Sequence, residues 1–206
     1  MVYSYTPAQA AAMTGLSLAA VHKAIDTGLI KAKAARTGTA RRLLTREQIV
    51  YLQLEAEGVR LLPLRARRSV AKAMRRSPQL DEVALGNGHV LLIKVSTARR
   101  KADEGLRRLV RAEKMVISDP EVLGGTPVYR GTRIPVRLVA DMLAQGASVK
   151  EILEGYPSLS REMIEMAPIY VRAFPRRGRP ARLPWARQKP RRVTSHPRSA
   201  LDRHGR

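Results

Sequence analysis

The sequence predicts a mainly α-helical protein with a disordered tail, and three observations support that fold class. Helix-start signals, in which a hydroxyl residue is followed three positions later by Gln or Glu, recur along the chain before apolar helical repeats. Strand patterns are confined to short segments around glycine-containing turns. The last 32 residues contain five prolines and no helical repeat, so they predict a disordered tail.

The composition favours a polyanionic partner. The formal net charge is +22, which suits DNA, RNA, an acidic membrane surface or an acidic protein pocket. No cysteine is present and the four histidines are scattered, so we expect no disulfide, metal site or cofactor. No apolar run approaches the roughly 18–20 residues that span a bilayer. The start MVYSYTPAQ lacks the features of a signal peptide, so we expect a cytoplasmic protein without a membrane partner.

A capping box predicts the first helix. Thr6 is the N-cap residue, Pro7 takes the first helical position and Gln9 closes the box. The helix is rich in alanine and stops at Gly15. Ser17 then caps a second helix, LAAVHKAID, which ends at a further glycine.

A hairpin and a third helix follow. The segments IKAKAA and ARRLL flank the turn RTGT, with Gly38 at its tip. Thr45 and Gln48 form another capping box at the start of REQIVYLQLEAEG. Helix, tight glycine turn, capped helix, hairpin and helix is the order of a winged helix-turn-helix.

Residues 3–57 resemble the start of MerR-like DNA-binding domains, through YTPAQAAAMTGLSLAAVHKAIDTGLI and RRLLTREQI. In such a domain the second helix lies in the major groove of DNA and the hairpin arginines contact phosphates. A merely solvated helix face is the alternative for the exposed side chains of that helix. The candidate DNA contacts are Ser17, His22, Lys23, Arg41 and Arg42.

The middle of the chain predicts a basic helix, a hairpin and another helix. LRARRSVAKAMRR, between Pro63 and Pro78, either contacts phosphate or forms a solvated face. EVALGNGHVLLIKV predicts a hairpin with a two-residue turn at Asn87-Gly88. The helix TARRKADEGLRRLVRAEK has one apolar side, formed by Leu106, Leu109 and Val110.

From about Met115 the pattern becomes turn-rich and then helical again. LGGTPVYRGTRIPVRLV contains three glycines, two prolines and three arginines. PVRLVADMLAQG is a helix that stops at Gly146, and Ser148 with Glu151 opens the next helix. A third helix, SREMIEMAPIYVRAF, completes a compact helical unit. The apolar face predicted for the first of these helices contains Val136, Val139 and Leu143.

Residues 116–174 resemble a small bacterial and archaeal antitoxin family, long catalogued as a domain of unknown function and associated with VapB-type antitoxins. The winged domain in front and the basic stretch behind resemble the longer members of that family. The resemblance implies two partners, a PIN-like ribonuclease toxin encoded in the same operon and the operator DNA. The signature residues are Gly124, Gly125, Pro127, Gly131, Thr132, Arg133, Val136, Tyr156, Pro157 and Leu159.

A PIN-type active site is a cluster of carboxylates that holds divalent metal, and an inserted arginine would pair with those carboxylates. A structural or solvated guanidinium is the alternative for each arginine, and the tail could instead bind DNA or RNA nonspecifically. Thr132-Arg133 stands where a phosphate-binding loop needs Lys-Ser/Thr, which argues against nucleotide binding. The candidate partner contacts are Arg130, Arg133, Arg137, Arg177, Arg179, Arg182, Trp185 and Arg187.

These observations predict four parts. A winged helix-turn-helix domain occupies 1–60, a basic helix and hairpin region 61–114, a three-helix unit resembling a helix-turn-helix 115–174, and a basic toxin-binding tail 175–206. We expect a homo-oligomeric antitoxin that represses its own operon and has no catalytic residues. The alternatives are a stand-alone winged-helix regulator, whose C-terminal domain dimerises or senses an effector, and an RNA- or ribosome-associated basic protein.

Overall fold

The computed structural model describes residues 4–34, 42–86 and 91–176. The hairpin tip around Gly38, the Asn87-Gly88 turn and nearly all of the basic tail lie outside these ranges. Within them the fold is mainly α, as predicted. Its helices are α1 (Pro7–Thr14), α2 (Leu18–Asp26), α3 (Arg46–Ala56), α4 (Leu64–Arg76), α5 (Val95–Lys114), α6 (Val136–Ala144), α7 (Val149–Gly155) and α8 (Arg161–Ala173).

The strands of the described ranges form three small antiparallel pairs, each made of consecutive strands. None of the three pairs joins another, so the sheets flank a helical core rather than form it. The strands are β1 (Lys33–Ala34), β2 (Arg42–Leu43), β3 (Glu82–Leu85), β4 (Leu91–Lys94), β5 (Val116–Ile117) and β6 (Val128–Tyr129).

The capping signals fix the helix starts. At α1 the Thr6 hydroxyl accepts from the amide of Gln9 at 3.2 Å, and the Gln9 side chain accepts from the amide of Thr6 at 2.8 Å. The capping boxes predicted at Thr45 and Ser148 are also present, at the starts of α3 and α7. Each box satisfies donors that the first helical turn leaves without a partner.

The main core lies among α1, α2, α3, α4 and α5. Helix α5 enters it through small residues, and at Gly105 an added Cβ would lie 2.3 Å from the carbonyl oxygen of Met13 in α1. The apolar face predicted for α5, formed by Leu106, Leu109 and Val110, is partly wrong. Of these three side chains only Leu109 is fully buried, and Val110 is 38% exposed. The buried side of α5 contains Val95, Ala98, Ala102, Gly105, Leu109 and Ala112.

A second cluster belongs to residues 116–171. Val136 and Val139 of α6 are buried as predicted, whereas Leu143 is half-buried. Tyr129 is almost fully buried and its hydroxyl donates to the carbonyl of Met163 in α8 at 3.0 Å. Burial raises the pKa of this phenol, so it remains a neutral donor.

Helix α8 connects the two clusters. Ile164 and Ala167 belong to the second cluster and Ala173 to the main core. Beside them, Arg172 donates to the carbonyls of Ala11 and Leu16 at 3.2 and 3.1 Å. The chain up to Pro175 is one compact unit. The division of this unit at residues 60 and 114 stays a prediction.

Strands β3 and β4 pair antiparallel, as the predicted hairpin requires, and its predicted turn at Asn87-Gly88 lies outside the described residues. Leu85, the last residue of β3, pairs with Leu91, the first residue of β4. The observed register places Val83 directly opposite Ile93, and both are buried. Burial of this cross-strand pair on one face of the hairpin specifies the register of the two strands.

Within the described ranges no helix combines the length and the apolar character needed to cross a membrane.

Candidate nucleic-acid and partner interfaces

The α1–α2 turn presents the start of α2 to solvent. Gly15 has φ +76°, a left-handed conformation that side chains rarely adopt, and the following Leu16 is buried. Ser17 is the N-cap of α2, and its hydroxyl accepts from the amide of Ala20 at 3.1 Å. The hydroxyl of Ser17, a predicted DNA contact, therefore already accepts a hydrogen bond within the protein. Ser17 is nevertheless exposed to solvent.

The two sides of α2 are distinct. Val21 and Ala24 are buried against the core, while Lys23 is exposed and His22 is half-buried. Neither Lys23 nor His22 has an ion pair with any residue in the described ranges. The Lys23 ammonium is thus available to an anion, and the helix beneath it is fixed by packing.

The hairpin is attached to the end of α2. The Arg42 guanidinium in β2 donates to the carboxylate of Asp26 at 2.7 Å, and both side chains are about half exposed. Arg42, whose contact with phosphate stays a prediction, holds the hairpin against the helix. Arg41 lies outside the described residues.

A cleft of about 290 Å³ next to α2 is lined by Lys23, Arg60 and Arg67 together with apolar side chains. Arg67 is neutralised within it, because its guanidinium donates two hydrogen bonds, at 2.6 and 3.0 Å, to the buried carboxylate of Glu55. Tyr51 donates to the same carboxylate at 2.6 Å, and burial raises the pKa of its phenol. Lys23 and Arg60 remain as the unpaired cations of the cleft among the described residues.

The glycine-rich segment forms two fixed turns. In the first, Gly124 and Gly125 have φ +61° and +80°, and Leu123 before them is a non-glycine residue at φ +49° with 51% exposure. The Asp119 carbonyl accepts from the amide of Gly125 at 3.0 Å and closes this turn. In the second, Gly131 has φ +77°, a left-handed conformation that favours glycine.

The three arginines of this segment differ in their surroundings. Arg130 donates through Nε to the carbonyl of Lys114 at 3.3 Å, so it helps to close the end of α5. Arg133 is exposed, and Arg137, in the first turn of α6, is half-buried. Neither the Arg133 nor the Arg137 side chain has a hydrogen bond or ion pair with another residue that the structure describes. Arg177, Arg179, Arg182, Trp185 and Arg187 lie outside the described residues.

Sequence reasoning missed the buried network of Tyr51, Glu55 and Arg67. Tyr51 and Glu55 are four residues apart in α3, a spacing visible in the sequence that places two side chains on the same side of a helix. The pairing with Arg67, twelve residues further on, depends on the packing of α4 against α3 and had no local signal. Contacts of Arg172 with the α1–α2 turn were also missed, because they join residues 156 and 161 positions apart.

Among the residues in the described ranges, no group of three or more His, Asp and Glu side chains could hold a metal ion. Those ranges also contain no buried side-chain nitrogen or oxygen without a hydrogen-bond partner.

Comparison with known proteins places a family match on the C-terminal helical region. The uncharacterized protein y4eO of Sinorhizobium fredii (strain NBRC 101917 / NGR234) is 40% identical over 141 residues, which are 68% of this chain and 60% of that relative. A crystal structure of Rv2018 from Mycobacterium tuberculosis is similar at 16% identity with a TM-score of 0.29, covering 80% of this chain and 96% of that one. So low a score carries no argument about fold.

The antitoxin and MerR-like assignments stay predictions. Residues 116–171 match the model of the family described as a protein of unknown function (DUF433), and this region is consistent with that family.

Proposed function

We propose that the protein is an antitoxin that binds the DNA of its own promoter and neutralises a PIN-like ribonuclease toxin encoded in the same operon. The observation that carries the DNA-binding part of the proposal is the geometry around α2. Its start follows the left-handed turn at Gly15, its outer face carries the exposed Lys23, and the Arg42–Asp26 ion pair holds a hairpin beside its end.

This arrangement suits duplex DNA. A short helix whose inner face is packed can place its outer side chains against base edges in the major groove. A neighbouring hairpin can then follow the phosphate backbone, and the net charge of +22 favours such a polyanion. Lys23 is the side chain of α2 best placed for a base or phosphate contact, because it is exposed and unpaired among the described residues.

We assign the surface that binds the toxin to the glycine-rich segment, residues 123–137, and to the basic tail, residues 175–206. Arg133 is exposed beside a turn that hydrogen bonds from Thr132 to the carbonyl of Tyr129 close, so its guanidinium can approach carboxylates with little loss of backbone freedom. Leu123 adds an exposed apolar side chain on a strained backbone, a combination often found at functional sites. The resemblance to VapB-type antitoxins supports a ribonuclease as the partner.

The DNA-binding part is tested by a gel-shift titration with the DNA upstream of the gene. Lys23→Ala should weaken binding by about 1–3 kcal/mol, roughly 5- to 150-fold, whereas Lys150→Ala should leave it unchanged. Lys150 is the matched control because it is an exposed lysine on α7 whose nearest acid, Glu154, is 3.9 Å away. If a fragment starting at residue 60 binds the same DNA as tightly as the full chain, α2 is not the DNA-binding helix.

The toxin-binding part is tested by co-expression with the neighbouring open reading frame and by RNA cleavage assays. The two proteins should purify together, and the full chain should inhibit cleavage. Truncation after Phe174 should preserve DNA binding but weaken inhibition, because it removes a segment with ten net positive charges and Trp185. Equal inhibition by both forms would place neutralisation on the folded region around Arg133.

A stand-alone transcriptional regulator is the second candidate, and one observation favours it. Arg172 of α8 donates to two carbonyls at the α1–α2 turn, so a ligand bound by the C-terminal helices could change the position of α2. In that case DNA binding would be specific, but no neighbouring protein would co-purify.

A further inference from the structure

A continuous basic face on α4 is not used by the function proposed above. Arg65, Arg68, Lys72 and Arg76 follow one another at intervals of three, four and four residues, so they lie along one side of the helix. All four are exposed. We call these four residues the α4 stripe.

The remainder of α4 fixes the direction in which the stripe points. Val70, Ala71 and Met74 on the opposite side are buried in the main core. Arg67 is held by the Glu55 carboxylate at 2.6 Å, and Arg75 donates to the carbonyl of Leu29 at 3.0 Å. The helix is therefore anchored along its length, and the stripe cannot turn inward without disruption of the core.

The stripe is not neutralised by the residues that the structure describes. Helix α4 contains no acidic residue, and none of the four side chains has an ion pair within the described ranges. Helix α5 is also rich in arginine and lysine, but it carries acids and ion pairs of its own. These pairs are Arg46–Asp103, Arg99–Asp81, Lys101–Glu57 and Arg111–Glu162.

The length and chemistry of the stripe fit a nucleic-acid backbone. From Arg65 to Arg76 the helix rises about 16 Å at 1.5 Å per residue, a length over which duplex DNA carries about ten phosphate charges. An amphipathic helix that binds a membrane inserts its apolar face into the lipid. That face of α4 packs against the protein core instead, so phosphates of a duplex are the better partner.

The helix that carries the stripe also lies near the proposed DNA-reading helix. The first turns of α4 share the cleft of Lys23 and Arg60 through Arg67, and its last turn contacts Leu29, three residues after the end of α2. We propose that the α4 stripe binds the phosphate backbone of the same duplex DNA that α2 contacts. This inference rests on the DNA-binding part of the proposed function and adds a second, sequence-independent contact surface to it.

The experiment compares two full-length variants that lose equal charge. One carries Arg65→Gln, Arg68→Gln, Lys72→Gln and Arg76→Gln. The control carries Arg100→Gln, Arg107→Gln, Arg108→Gln and Lys114→Gln on the exposed side of α5, four cations without an ion pair in the described ranges. Removal of four charges lowers the net charge from +22 to +18 in both variants. Circular dichroism and thermal melts should show that both fold like the wild type, because every substituted side chain is exposed.

Binding to a fluorescein-labelled 30-base-pair duplex from the upstream DNA is measured by anisotropy at several NaCl concentrations. Each phosphate that the protein no longer neutralises should make the slope of log K against log[NaCl] shallower by about 0.9. The slope should therefore change by up to about 3.6 in the α4 variant and by less than about 1 in the α5 control. Equal changes in the two variants would overturn the inference while leaving the proposed function in place. Absence of binding by the wild type would overturn both. If the α4 variant binds vesicles containing phosphatidylserine less tightly than the wild type but keeps the wild-type salt slope for DNA, the stripe binds lipid and the inference is overturned.

Discussion

The contact between α1 and α5 at Gly105 leads to a quantitative prediction. A Cβ added at Gly105 would lie 2.3 Å from the carbonyl oxygen, 3.0 Å from the carbonyl carbon and 3.2 Å from the Cα of Met13. All three atoms belong to the backbone of α1, so no side chain can rotate away. Restoring an ordinary contact of 3.4 Å to the oxygen requires that the helices separate by about 1.1 Å, the difference between 3.4 and 2.3.

Gly105→Ala should therefore destabilise the protein. Overpacking of a core costs about 1–3 kcal/mol, and a rigid backbone neighbour places the cost near the upper end. Replacement of a helical glycine by alanine recovers about 1 kcal/mol through helix propensity. The net loss should be about 2 kcal/mol, or about 4–8 °C in melting temperature at 2–4 °C per kcal/mol for a chain of this size.

The matched control is Gly155→Ala in the last turn of α7. No atom lies within 4 Å of the Cβ position at Gly155, so only the propensity gain applies, and stability should rise by about 0.5–1 kcal/mol. Urea unfolding followed by circular dichroism at 222 nm gives both values. If Gly105→Ala is as stable as the wild type, or gains stability as the control does, the close approach of the two helices is refuted.

Three further predictions concern single sites. Glu55→Ala leaves the guanidinium of Arg67 buried without its partner and should cost about 3–5 kcal/mol, and a midpoint of urea unfolding within error of the wild type would contradict this. Gly131→Val forces a β-branched residue to φ +77° and should cost about 1–3 kcal/mol in a thermal melt, and an unchanged midpoint would count against a shape-setting role. The hydrogen bonds from the backbone and side chain of Ser148 lower the pKa of Glu151 below its ordinary 4.5, so their stabilisation is present above that value and is lost as the pH falls through the lowered pKa. Ser148→Ala should thus lower the melting temperature at pH 7 more than at pH 2.5, and an equal loss at both pH values would oppose this assignment.

Local signals predicted the helix starts well because each is complete within four residues. The boxes at Thr6, Thr45 and Ser148 need only the side chain at the cap and the one three positions later. The buried side of α5 could not be found in the same way. Its sequence contains two leucines and two valines, but much of its packing surface is formed by Ala98, Ala102 and Gly105, and the backbone of Met13 in α1 approaches closely at Gly105.

The same limit applies to the candidate interfaces. The exposed position of Lys23 and the positive φ of Gly131 follow from local patterns, since a capped helix has a defined outer face and a tight turn requires glycine. The pairing of Arg42 with Asp26 spans 16 residues and depends on where the hairpin packs. Sequence could identify Arg42 as a basic hairpin residue, but it could not show that an acidic neighbour already binds it.

The bond between Arg172 and Ala11 joins residues 161 positions apart, so the packing of the first helix is incomplete until the last one has been synthesised. Until α8 has left the ribosome, the side of α1 that α8 covers is open, and the α1–α2 turn lacks two of its hydrogen bonds. Contacts over such distances slow folding, because a long loop must close before they are made. A proteolytic cut between α5 and α8 that allowed α8 to dissociate would return α1 to this open state. The lifetime of the N-terminal helices in the cell would then depend on the integrity of the C-terminal ones.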